Sequence, residues 1–384
     1  MLSNLITILV ALLVFAVMVV VHEFGHFATA KLFKINVVEF AVGMGPAIFK
    51  KKRGETTYSI RCLPLGGYCM FDEDVGNPDA PNAFEKAAWW KRLCVVLAGA
   101  FLNIVLGFLI FAILQSAKPT TYQPVITSFV ENTQMEAAGF QAGDEIVRLN
   151  DTQIHVKDDI DFFMSQNGAK PIVVTAKRGE ETVQATVKPS KYEERYTFLE
   201  DRLDVVADVE GKEIERETRP AADDEEYKQY IGETATASKY LIGFVGTEPS
   251  RTLGSVLHDA FFTTIYNVKI VYFSLFELIR GNVTADQVSG PIGIVSVIGQ
   301  ATKIGWMTLL SLVGLLTVNL GIMNLLPIPG LDGCKAITIV IEAIVRKKLP
   351  QKAEIVINII GFSILILIML FATFNDIRNL FNPM

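Results

Sequence analysis

Residues 6–33 read ITILVALLVFAVMVVVHEFGHFATAKLF, and this stretch decides how the rest of the chain is interpreted. It is apolar and exceeds the roughly 20 residues that a helix needs to cross a bilayer. Within it, His22 and His26 flank Glu23 at a spacing of four, which places both imidazoles on one helix face. The two imidazoles can bind one zinc ion while Glu23 acts as general base. The alternative, a histidine pair that only packs against other helices, is disfavoured because ionisable groups at bilayer depth are costly and usually functional.

Three further apolar segments predict additional membrane spans. Half of the 384 residues are hydrophobic, and the segments are long enough to cross the hydrocarbon core. The four predicted transmembrane helices are Leu5 to Thr29, Leu93 to Ala117, about Trp306 to Leu326 and about Ile355 to Phe374. The first has no basic region before it and no small-residue cleavage site, so we expect it to be a retained span rather than a signal peptide.

The charges are distributed unevenly and predict an orientation. Residues 118–250 hold 26 acidic against 15 basic side chains, whereas the loops after the first and third spans are basic. The basic loop residues are Lys31, Lys34, Lys50, Lys51, Lys52, Arg53, Arg346, Lys347, Lys348 and Lys352. By the positive-inside rule these loops face the cytoplasm, and both termini and the acidic segment lie outside. The acidic segment has no basic patch, which argues against nucleic acid as a partner.

A fifth apolar region, residues 253–281, contains His258, Asp259, Lys269 and Glu277. These charged side chains predict an amphipathic helix on the outer membrane surface rather than a span. The chemistry gives a second reason. A fifth span would place the motif around Asp332 on the opposite side of the membrane from His22 and His26.

That second motif, NLGIMNLLPIPGLDGCKA at residues 319–336, offers the third metal ligand. A catalytic zinc typically takes three protein ligands and keeps one position for water. His155 and His258 lie in the external segment, so Asp332 is the best candidate. Asn324, before the prolines, can donate a hydrogen bond to a peptide carbonyl. Read alone, the motif is equally compatible with a proline-terminated helix followed by an Asp-Gly turn.

Several motifs together resemble the site-2 protease family of intramembrane zinc metalloproteases, in its bacterial branch with an extracytoplasmic PDZ domain. The matching motifs are HEFGH at 22–26, VEFAVGMGP at 38–46, CLPLGGYCMF at 62–71, VSGPIGI at 288–294 and NLLPIPGLDG at 324–333. The resemblance covers nearly the whole chain. It departs at Gly330, where the family more often has Ala, and at Cys334, where a second Gly is common, so loop packing rather than the ligand set differs.

The resemblance implies roles for individual residues. His22, His26 and Asp332 would ligate zinc, Glu23 would be the base and Asn324 would help to hold the substrate. The implied substrates are single-span proteins already shortened outside, such as anti-sigma factors, and remnant signal peptides. The sequence gives no oligomeric state.

Residues 37–70 alternate β-prone residues with Gly and Pro, and KKKRGET is typical of a hairpin turn. A protease that cuts transmembrane helices needs an unwound substrate, which an exposed strand edge can hold by β-augmentation. The family places a membrane re-entrant β-loop here, so we assign substrate presentation to Gly66, Gly67 and Tyr68. An ordinary cytoplasmic hairpin remains the alternative.

The external segment predicts an α+β fold, because strand-like runs alternate with a short helix and Gly turns. AAGFQAGDEIVRLNDTQI at residues 137–154 resembles part of a PDZ domain. Residues 190–238 are charged and poor in large apolar side chains, which indicates an insertion that is either partly disordered or a small β extension.

The predicted protein is therefore a polytopic α-helical membrane protein with four transmembrane helices, a membrane re-entrant β-loop and an extracytoplasmic α+β PDZ domain. The predicted regions are 1–117 with the histidine motif, 118–250 for the PDZ domain, 251–302 for the surface helix and linker, and 303–384 with Asp332. The predicted location is the bacterial cytoplasmic membrane, with the active site toward the cytoplasm. The competing functions are a zinc-binding membrane transporter, since ionisable residues in spans also mark ion pathways, and an inactive scaffold that presents its PDZ domain.

Overall fold

The computed structural model describes residues 2–77, 80–220, 231–282 and 290–381. The chain divides into two compact units, Met1–Leu114 with Thr264–Met384 and Gln115–Thr263. The first unit is mainly helical and the second is built from two β-sheets. Parts of three predicted features lie outside the described residues: the start of the VSGPIGI motif, residues 221–230 of the predicted insertion and residues 283–289 of the predicted linker.

The helices follow the apolar segments of the sequence. They are α1 (Leu2–Leu32), α2 (Trp89–Ser116), α3 (Lys157–Asn167), α4 (Leu253–Arg280), α5 (Pro291–Ile304), α6 (Trp306–Asn324), α7 (Asp332–Val345) and α8 (Gln351–Phe381). By length and composition, five are able to cross a membrane: Leu5–Leu32, Trp89–Ser116, Leu253–Arg280, Trp306–Asn324 and Ile355–Arg378. Four of these coincide with the predicted spans. The fifth, in α4, has the lowest hydropathy of the set, and whether it spans decides the number of crossings.

Glycines let α2 pack closely against α6. A Cβ at Gly321 would lie 2.9 Å from the carbonyl oxygen of Ala100, and one at Gly107 would lie 2.4 Å from Cγ2 of Val318. The later residue of α2, Gly107, meets the earlier residue of α6, Val318, and Ala100 meets Gly321, so the two helices are antiparallel. Small residues at such crossings let backbones approach and maximise van der Waals contact where lipid supplies no hydrophobic driving force.

The predicted hairpin is formed by β1 (Glu39–Arg53) and β2 (Thr56–Met70). Both strands are bent, so residues 39–42 have partners on two sides, residues 57–60 and residues 67–70. Residues 50–53 pair with residues 56–59. The order across this small sheet is therefore 50–53, 56–60, 39–42 and 67–70. Gly43 and Gly45, with φ of 86° and 84°, lie at the bend, where a side chain would be strained.

Helix α5 lies in a region for which the sequence predicted only a linker. Its first turn is capped by Asp376 of α8, whose carboxylate accepts hydrogen bonds from the backbone N–H groups of Gly290 (2.9 Å) and Gly293 (2.8 Å). A carboxylate at a helix N-terminus satisfies free amides and complements the helix dipole. The cap comes from about 85 residues away in the chain, so no local signal predicts it.

The second unit contains two sheets and α3. The larger sheet has the order β12, β3, β4, β6 and β7, with β5 paired to β4. Its strands are β3 (Gln123–Phe129), β4 (Glu145–Leu149), β5 (Thr152–Gln153), β6 (Ile172–Arg178), β7 (Glu181–Val187) and β12 (Phe244–Thr247). Buried apolar side chains, among them Phe140, Ile146 and Ile172, form its core. The PDZ assignment remains a prediction.

The described residues of the predicted insertion form a second, antiparallel sheet of order β10, β9, β8 and β11. Its strands are β8 (Ser190–Phe198), β9 (Arg202–Val209), β10 (Lys212–Pro220) and β11 (Thr234–Leu241). The hydroxyls of Tyr192 and Tyr196 both donate to the Glu194 carboxylate. Val205, Ala207 and Val209 are buried, so β-branched and aromatic side chains give this charged segment an ordered core.

Candidate metal centre

Three side chains from distant parts of the sequence converge in the helical unit. Nε2 of His22 lies 3.2 Å from Nε2 of His26, and Oδ2 of Asp332 lies 3.0 Å and 3.3 Å from these two atoms. Both histidines are buried on the second half of α1. Among the described residues, this is the group of His, Cys, Asp and Glu side chains whose ligand atoms could share a metal ion.

The hydrogen bond of His26 turns its second ring nitrogen toward the centre of this group. Nδ1 of His26 lies 2.8 Å from the carbonyl oxygen of Val95, which can only accept, so Nδ1 carries a proton, and in the neutral imidazole Nε2 then presents a lone pair. Oδ2 of Asp332 is buried and has no hydrogen-bond donor. When both imidazoles are neutral and unprotonated at Nε2, which is the form that binds metal, three electron pairs face one another about 3 Å apart, and this is unfavourable without a cation between them. Tetrahedral zinc ligands about 2.0–2.1 Å from the metal have nearly this spacing, so the residues fit zinc.

Helix α2 shapes the pocket in which the histidines sit. A Cβ at Gly99 would lie 2.4 Å from Nε2 of His26 and 2.8 Å from Cε1 of His22. A Cβ at Gly25 would lie 2.4 Å from the carbonyl oxygen of Ala98. Only glycine at both positions lets α1 and α2 cross closely enough for the imidazoles to lie over the α2 backbone. The small residues around Gly99 predict a close helix approach in this span, but the sequence does not show that the imidazoles lie against Gly99, because that depends on where the two helices cross.

Asn103, one turn beyond Gly99, is the other residue that the sequence did not assign to the site. It is fully buried, and its side-chain nitrogen lies 3.4 Å from Nδ1 of His22 while its Oδ1 has no partner. If Nε2 of His22 binds metal, Nδ1 carries the proton and needs an acceptor. Rotating the Asn103 amide by 180° supplies Oδ1 as that acceptor. The only sequence signal is a polar residue inside an apolar span, four residues after Gly99.

The loop between α6 and α7 positions Asp332. A Cβ at Gly333 would lie 2.2 Å from the carbonyl oxygen of Leu325 and 2.3 Å from that of Leu326, so the start of α7 packs directly on the first residues of the loop after α6. This contact brings Asn324, the last residue of α6, close in space to the start of α7. A φ of 92° at Gly330 shows why this position, which departs from the family pattern, is occupied by glycine without strain.

Glu23 lies between the ligands and the hairpin. Its electrostatic neighbours are His26, His22 and Asp332, and the backbone amide of Cys69 is its hydrogen-bond partner. A Cβ at Gly67 would lie 3.4 Å from Cγ of Glu23. The edge of the hairpin formed by residues 67–70 is therefore in contact with the predicted base. The Cζ atom of Arg61 lies 4.9 Å from the centroid of the Tyr68 ring. Gly66 has a φ of 77°, which favours glycine at this bend of the strand.

A cavity of about 590 Å³ opens beside Asp332. It is lined by polar Asn358 and Ser363 and by apolar Leu331, Ile359 and Phe362, all from the α6–α7 loop and α8. A pocket of this size and mixed lining can hold several residues of an extended peptide.

The two remaining histidines lie in the second unit and face a common ring. His155 stacks on Phe262 with ring centroids 3.9 Å apart, and His258 lies 4.6 Å from the same ring. Neither belongs to the group around Asp332.

Comparison with known proteins agrees with this geometry. The model of peptidase family M50 matches residues 10–368. A protein of Clostridium acetobutylicum named "Putative zinc metalloprotease" is 32% identical over 372 residues, which cover 96% of this chain and 97% of the relative. Proteins of the same description from Clostridium perfringens and Fusobacterium nucleatum are 31% and 30% identical, over 96% and 98% of this chain and 98% and 100% of their own lengths.

A group of two histidines and one aspartate that could share a metal ion, with an acidic residue beside it on an apolar helix, is the arrangement expected of a membrane metalloprotease. The chain belongs to peptidase family M50, the site-2 proteases. The predictions of a zinc metallopeptidase and of zinc as its cofactor are thereby confirmed. Several apolar helices agree with a multi-pass membrane protein.

Proposed function

We propose that this protein hydrolyses peptide bonds within transmembrane segments of single-span proteins that another protease has already shortened outside. The observation that carries the proposal is the placement of Glu23, which lies beside the ligand group and in contact with a strand edge, inside a helix apolar enough to span the bilayer. By family resemblance, the substrates include anti-sigma factors and remnant signal peptides, as part of regulated intramembrane proteolysis.

His22, His26 and Asp332 would hold the zinc, and their Nε2 and Oδ2 atoms already converge. Zinc at this position supplies polarisation of the scissile carbonyl and a lowered pKa for water. Glu23 accepts the proton of the attacking water and passes it to the leaving amine. Asn324 donates a hydrogen bond to the carbonyl oxygen as negative charge develops there.

The hairpin edge supports a substrate-binding role for Gly66, Gly67 and Tyr68. A helical substrate must unwind first, because its own hydrogen bonds shield the scissile amide, and an extended segment can then pair with a free strand edge. Gly67 has no side chain between the edge and Glu23, so a substrate strand there lies within reach of the base. The hydrogen bond from the Cys69 amide fixes the carboxylate relative to that edge.

The packing supports four membrane crossings rather than five. Helix α1 is antiparallel to α2, because His26 contacts Val95 whereas His22 lies beside Asn103. Helix α6 is also antiparallel to α2, so α1 and α6 run parallel, and α2 ends on the side where α6 begins. The chain between them must cross an even number of times. A Cβ at Gly299 of α5 would lie 2.8 Å from Thr7, near the start of α1, and Gly290 contacts Asp376 near the end of α8. Helix α5 therefore stays on one side of the membrane and does not cross it. If α4 crossed, no second helix would bring the chain back, so α4 is better placed on the membrane surface.

We infer that the basic loops face the cytoplasm of a bacterial cell, with the second unit outside the cytoplasmic membrane. Cysteines introduced at Lys51 and Lys347 should react only with reagents that reach the cytoplasm, and one at Lys177 only with impermeant external reagents. External labelling at Lys347 would separate Asp332 from the histidines and contradict the orientation.

We infer that the external unit, as a PDZ domain with an inserted sheet, filters substrates by size. Its two histidines surround Phe262 and lie outside the ligand group, so no chemistry is assigned to it. Removing residues 123–238 should admit substrates with long outer domains while keeping cleavage of a short one within about tenfold. An unchanged ratio between a long and a short substrate, in a protein that remains folded, would contradict filtering.

The experiment that tests the proposed activity is Glu23→Gln. The ligands remain, so zinc should stay bound, whereas cleavage of a model transmembrane substrate should fall by at least about 100-fold because the base is lost. Glu55→Gln, an exposed position in the hairpin turn, is the matched control and should leave cleavage unchanged. A transporter or an inactive scaffold would show no cleavage to lose, and turnover of Glu23→Gln above about one hundredth of the wild-type rate would contradict the role of the base.

A further inference from the structure

Four consecutive cations, Lys50, Lys51, Lys52 and Arg53, form what we call the cationic edge of the hairpin. All four are exposed, and residues 50–53 pair with residues 56–59 on one side only. Within the part of the chain that the structure describes, none of the four has a carboxylate within ion-pair distance. Four unpaired like charges at one edge repel one another, so a counter-charge from outside the chain would stabilise them.

The cationic edge lies on the side of the hairpin away from the ligand group. Across the small sheet, residues 67–70 form one outer strand and contact Glu23 through Gly67. Residues 50–53 form the other outer strand, beyond residues 56–60 and 39–42. The edge assigned to substrate and the cationic edge are therefore opposite edges of one sheet.

The register also gives the depth of each residue relative to α1. Phe49 lies in one row with Gly67, which contacts Glu23. Two residues later, Lys51 lies in a row with Phe40, whose ring centroid is 5.0 Å from that of Phe27. The step from Phe49 to Lys51 is about 6.6 Å, and the step from Glu23 to Phe27 is about 6 Å. The two steps are of similar length, and because the row of Lys51 also contains Cys69, whose amide bonds the Glu23 carboxylate, this row lies between the levels of Glu23 and Phe27.

Extending this scale places Arg53, the last of the four cations, at the end of α1. Arg53 lies roughly 13 Å from Phe49 along the strand, and Lys31 lies about 12 Å from Glu23 along the helix. Lys31 is in the last turn of α1, where the apolar segment ends. Arg53 thus lies at the level where α1 leaves the hydrocarbon core, and Lys50 lies about 10 Å deeper along the strand, a distance over which long lysine side chains extend toward the headgroups.

Large apolar side chains occupy the deeper end of the same hairpin. Those that are about half exposed or more are Met44 (51%), Ile48 (72%), Phe49 (54%), Ile60 (53%) and Leu63 (52%). Apolar side chains at the depth of Glu23, followed by cations that lead up to the depth of Lys31, have the same order as the acyl chains and headgroups of one leaflet. A water-soluble acidic protein or a nucleic acid would satisfy the charges but leave the apolar end uncovered.

We propose that the cationic edge binds the phosphate groups of anionic phospholipids in the leaflet at the C-terminal end of α1. Lipid would thus hold one edge of the hairpin while the opposite edge borders Glu23. Each cation near an anionic membrane surface favours binding by about fivefold. Binding should therefore weaken with added salt, since exposed charges are screened. Lipid binding at the cationic edge does not require catalytic turnover.

The test uses the full chain in lipid nanodiscs with Phe49→Trp as reporter, corrected for the fluorescence of the parent protein. Brominated anionic and brominated zwitterionic phospholipids are compared at the same low mole fraction in a zwitterionic bilayer. We expect the anionic lipid to quench the reporter at least about threefold more strongly, and we expect the difference to shrink when NaCl rises from about 50 to 500 mM.

Neutralising the edge with Lys50→Gln, Lys51→Gln, Lys52→Gln and Arg53→Gln should abolish the preference for the anionic lipid while zwitterionic quenching persists. The charge-matched control replaces four exposed lysines of the second unit, Lys170, Lys177, Lys188 and Lys212, with Gln and should keep the preference. Equal quenching by the two lipids in the reporter protein would overturn the proposal, as would a preference that does not respond to salt. The comparison at two NaCl concentrations uses only the Phe49→Trp reporter protein, so it tests the lipid preference even if the neutralised variant misfolds.

Discussion

Asp332 in the helical unit and Asp144 in the external unit are two shielded carboxylates with opposite surroundings. Asp144 accepts hydrogen bonds from Nε (2.7 Å) and Nη2 (2.8 Å) of Arg178 and from the backbone N–H of Gln141 (2.9 Å). Asp332 faces two imidazole nitrogens that have no proton to give if their other nitrogens carry it. A buried carboxylate that already has its donors acts structurally. A carboxylate that meets only lone pairs needs a cation, so substitutions at Asp332 and Asp144 should have different effects on bound zinc.

The largest effect is expected at Asp332. Asp332→Ala removes one of three ligands, so bound zinc should fall well below the one ion per chain of the unchanged protein. The loss of cleavage should exceed the roughly 10–100-fold cost of losing an outer hydrogen-bond partner of a metal ligand. Metal analysis and cleavage of a model substrate measure both quantities. Full zinc content in a folded Asp332→Ala protein would remove Asp332 from the ligand set.

The matched change at the other carboxylate is Asp144→Asn, which should leave zinc content unaltered. Asp144 is more buried than Asp332, with 1% against 23% of the side chain exposed, so burial by itself would not single out Asp332 as the ligand. Opposite results for zinc would establish that the absence of donors marks the ligand.

A smaller effect is expected at Asn103. Asn103→Leu keeps the volume but removes the acceptor for Nδ1 of His22, so zinc affinity should weaken by about 10–100-fold. Excess zinc should restore most of the cleavage, because the ligands are intact. Thr317→Val is the control: Thr317 is also fully buried, but its hydroxyl bonds the Val313 carbonyl of its own helix at 2.7 Å. Unchanged zinc affinity in Asn103→Leu would assign Asn103 to helix packing.

The histidine motif, the apolar spans and the β-prone hairpin could be predicted from local sequence, because each depends on residues close together in the chain. The neighbours of the metal centre could not. Gly99 and Asn103 matter only because α1 and α2 cross there, and a lone Asn in a span is most often a helix-to-helix hydrogen bond. The two-sided pairing of residues 39–42 depends on bends at glycines, and periodicity does not encode such bends.

The ion pair of Asp144 predicts an effect on stability and its dependence on pH. The Arg178 guanidinium holds the pKa of Asp144 below its usual value. A lowered pKa in the folded state means that the pair stabilises the fold fully above the unfolded pKa of about 3.9 and progressively less as the pH falls through the folded pKa. At neutral pH, Asp144→Asn should cost about 1–3 kcal/mol of unfolding free energy.

Pulse proteolysis of the full chain measures this cost in the external unit. The difference between Asp144→Asn and the unchanged protein should diminish below about pH 4, where the carboxylate of the unfolded chain begins to protonate, and should continue to fall through the lower pKa of the folded state. Asp201→Asn provides the control. The Asp201 side chain is 73% exposed, so its ion pair with Arg202 should contribute less than about 0.5 kcal/mol to the free energy of unfolding. A difference that grows on acidification would contradict the sign of the pKa shift.

The smallest effect is expected at Asp376, a carboxylate that resembles Asp144 in having donors although it lies in the helical unit. Its two oxygens accept the N–H groups of Gly290 and Gly293, so it should act as a helix cap and not as a metal ligand. Asp376→Asn retains one acceptor but turns an amide NH₂ toward the other N–H, which should cost about 1 kcal/mol. Hydrogen exchange should therefore accelerate about fivefold in the first turn of α5, while zinc content stays unchanged. Exchange in α7, which Asp376 does not cap, is the internal control. Unaltered exchange at the start of α5, or loss of zinc, would mean that donors at a buried carboxylate do not distinguish structural from metal-binding roles in this protein.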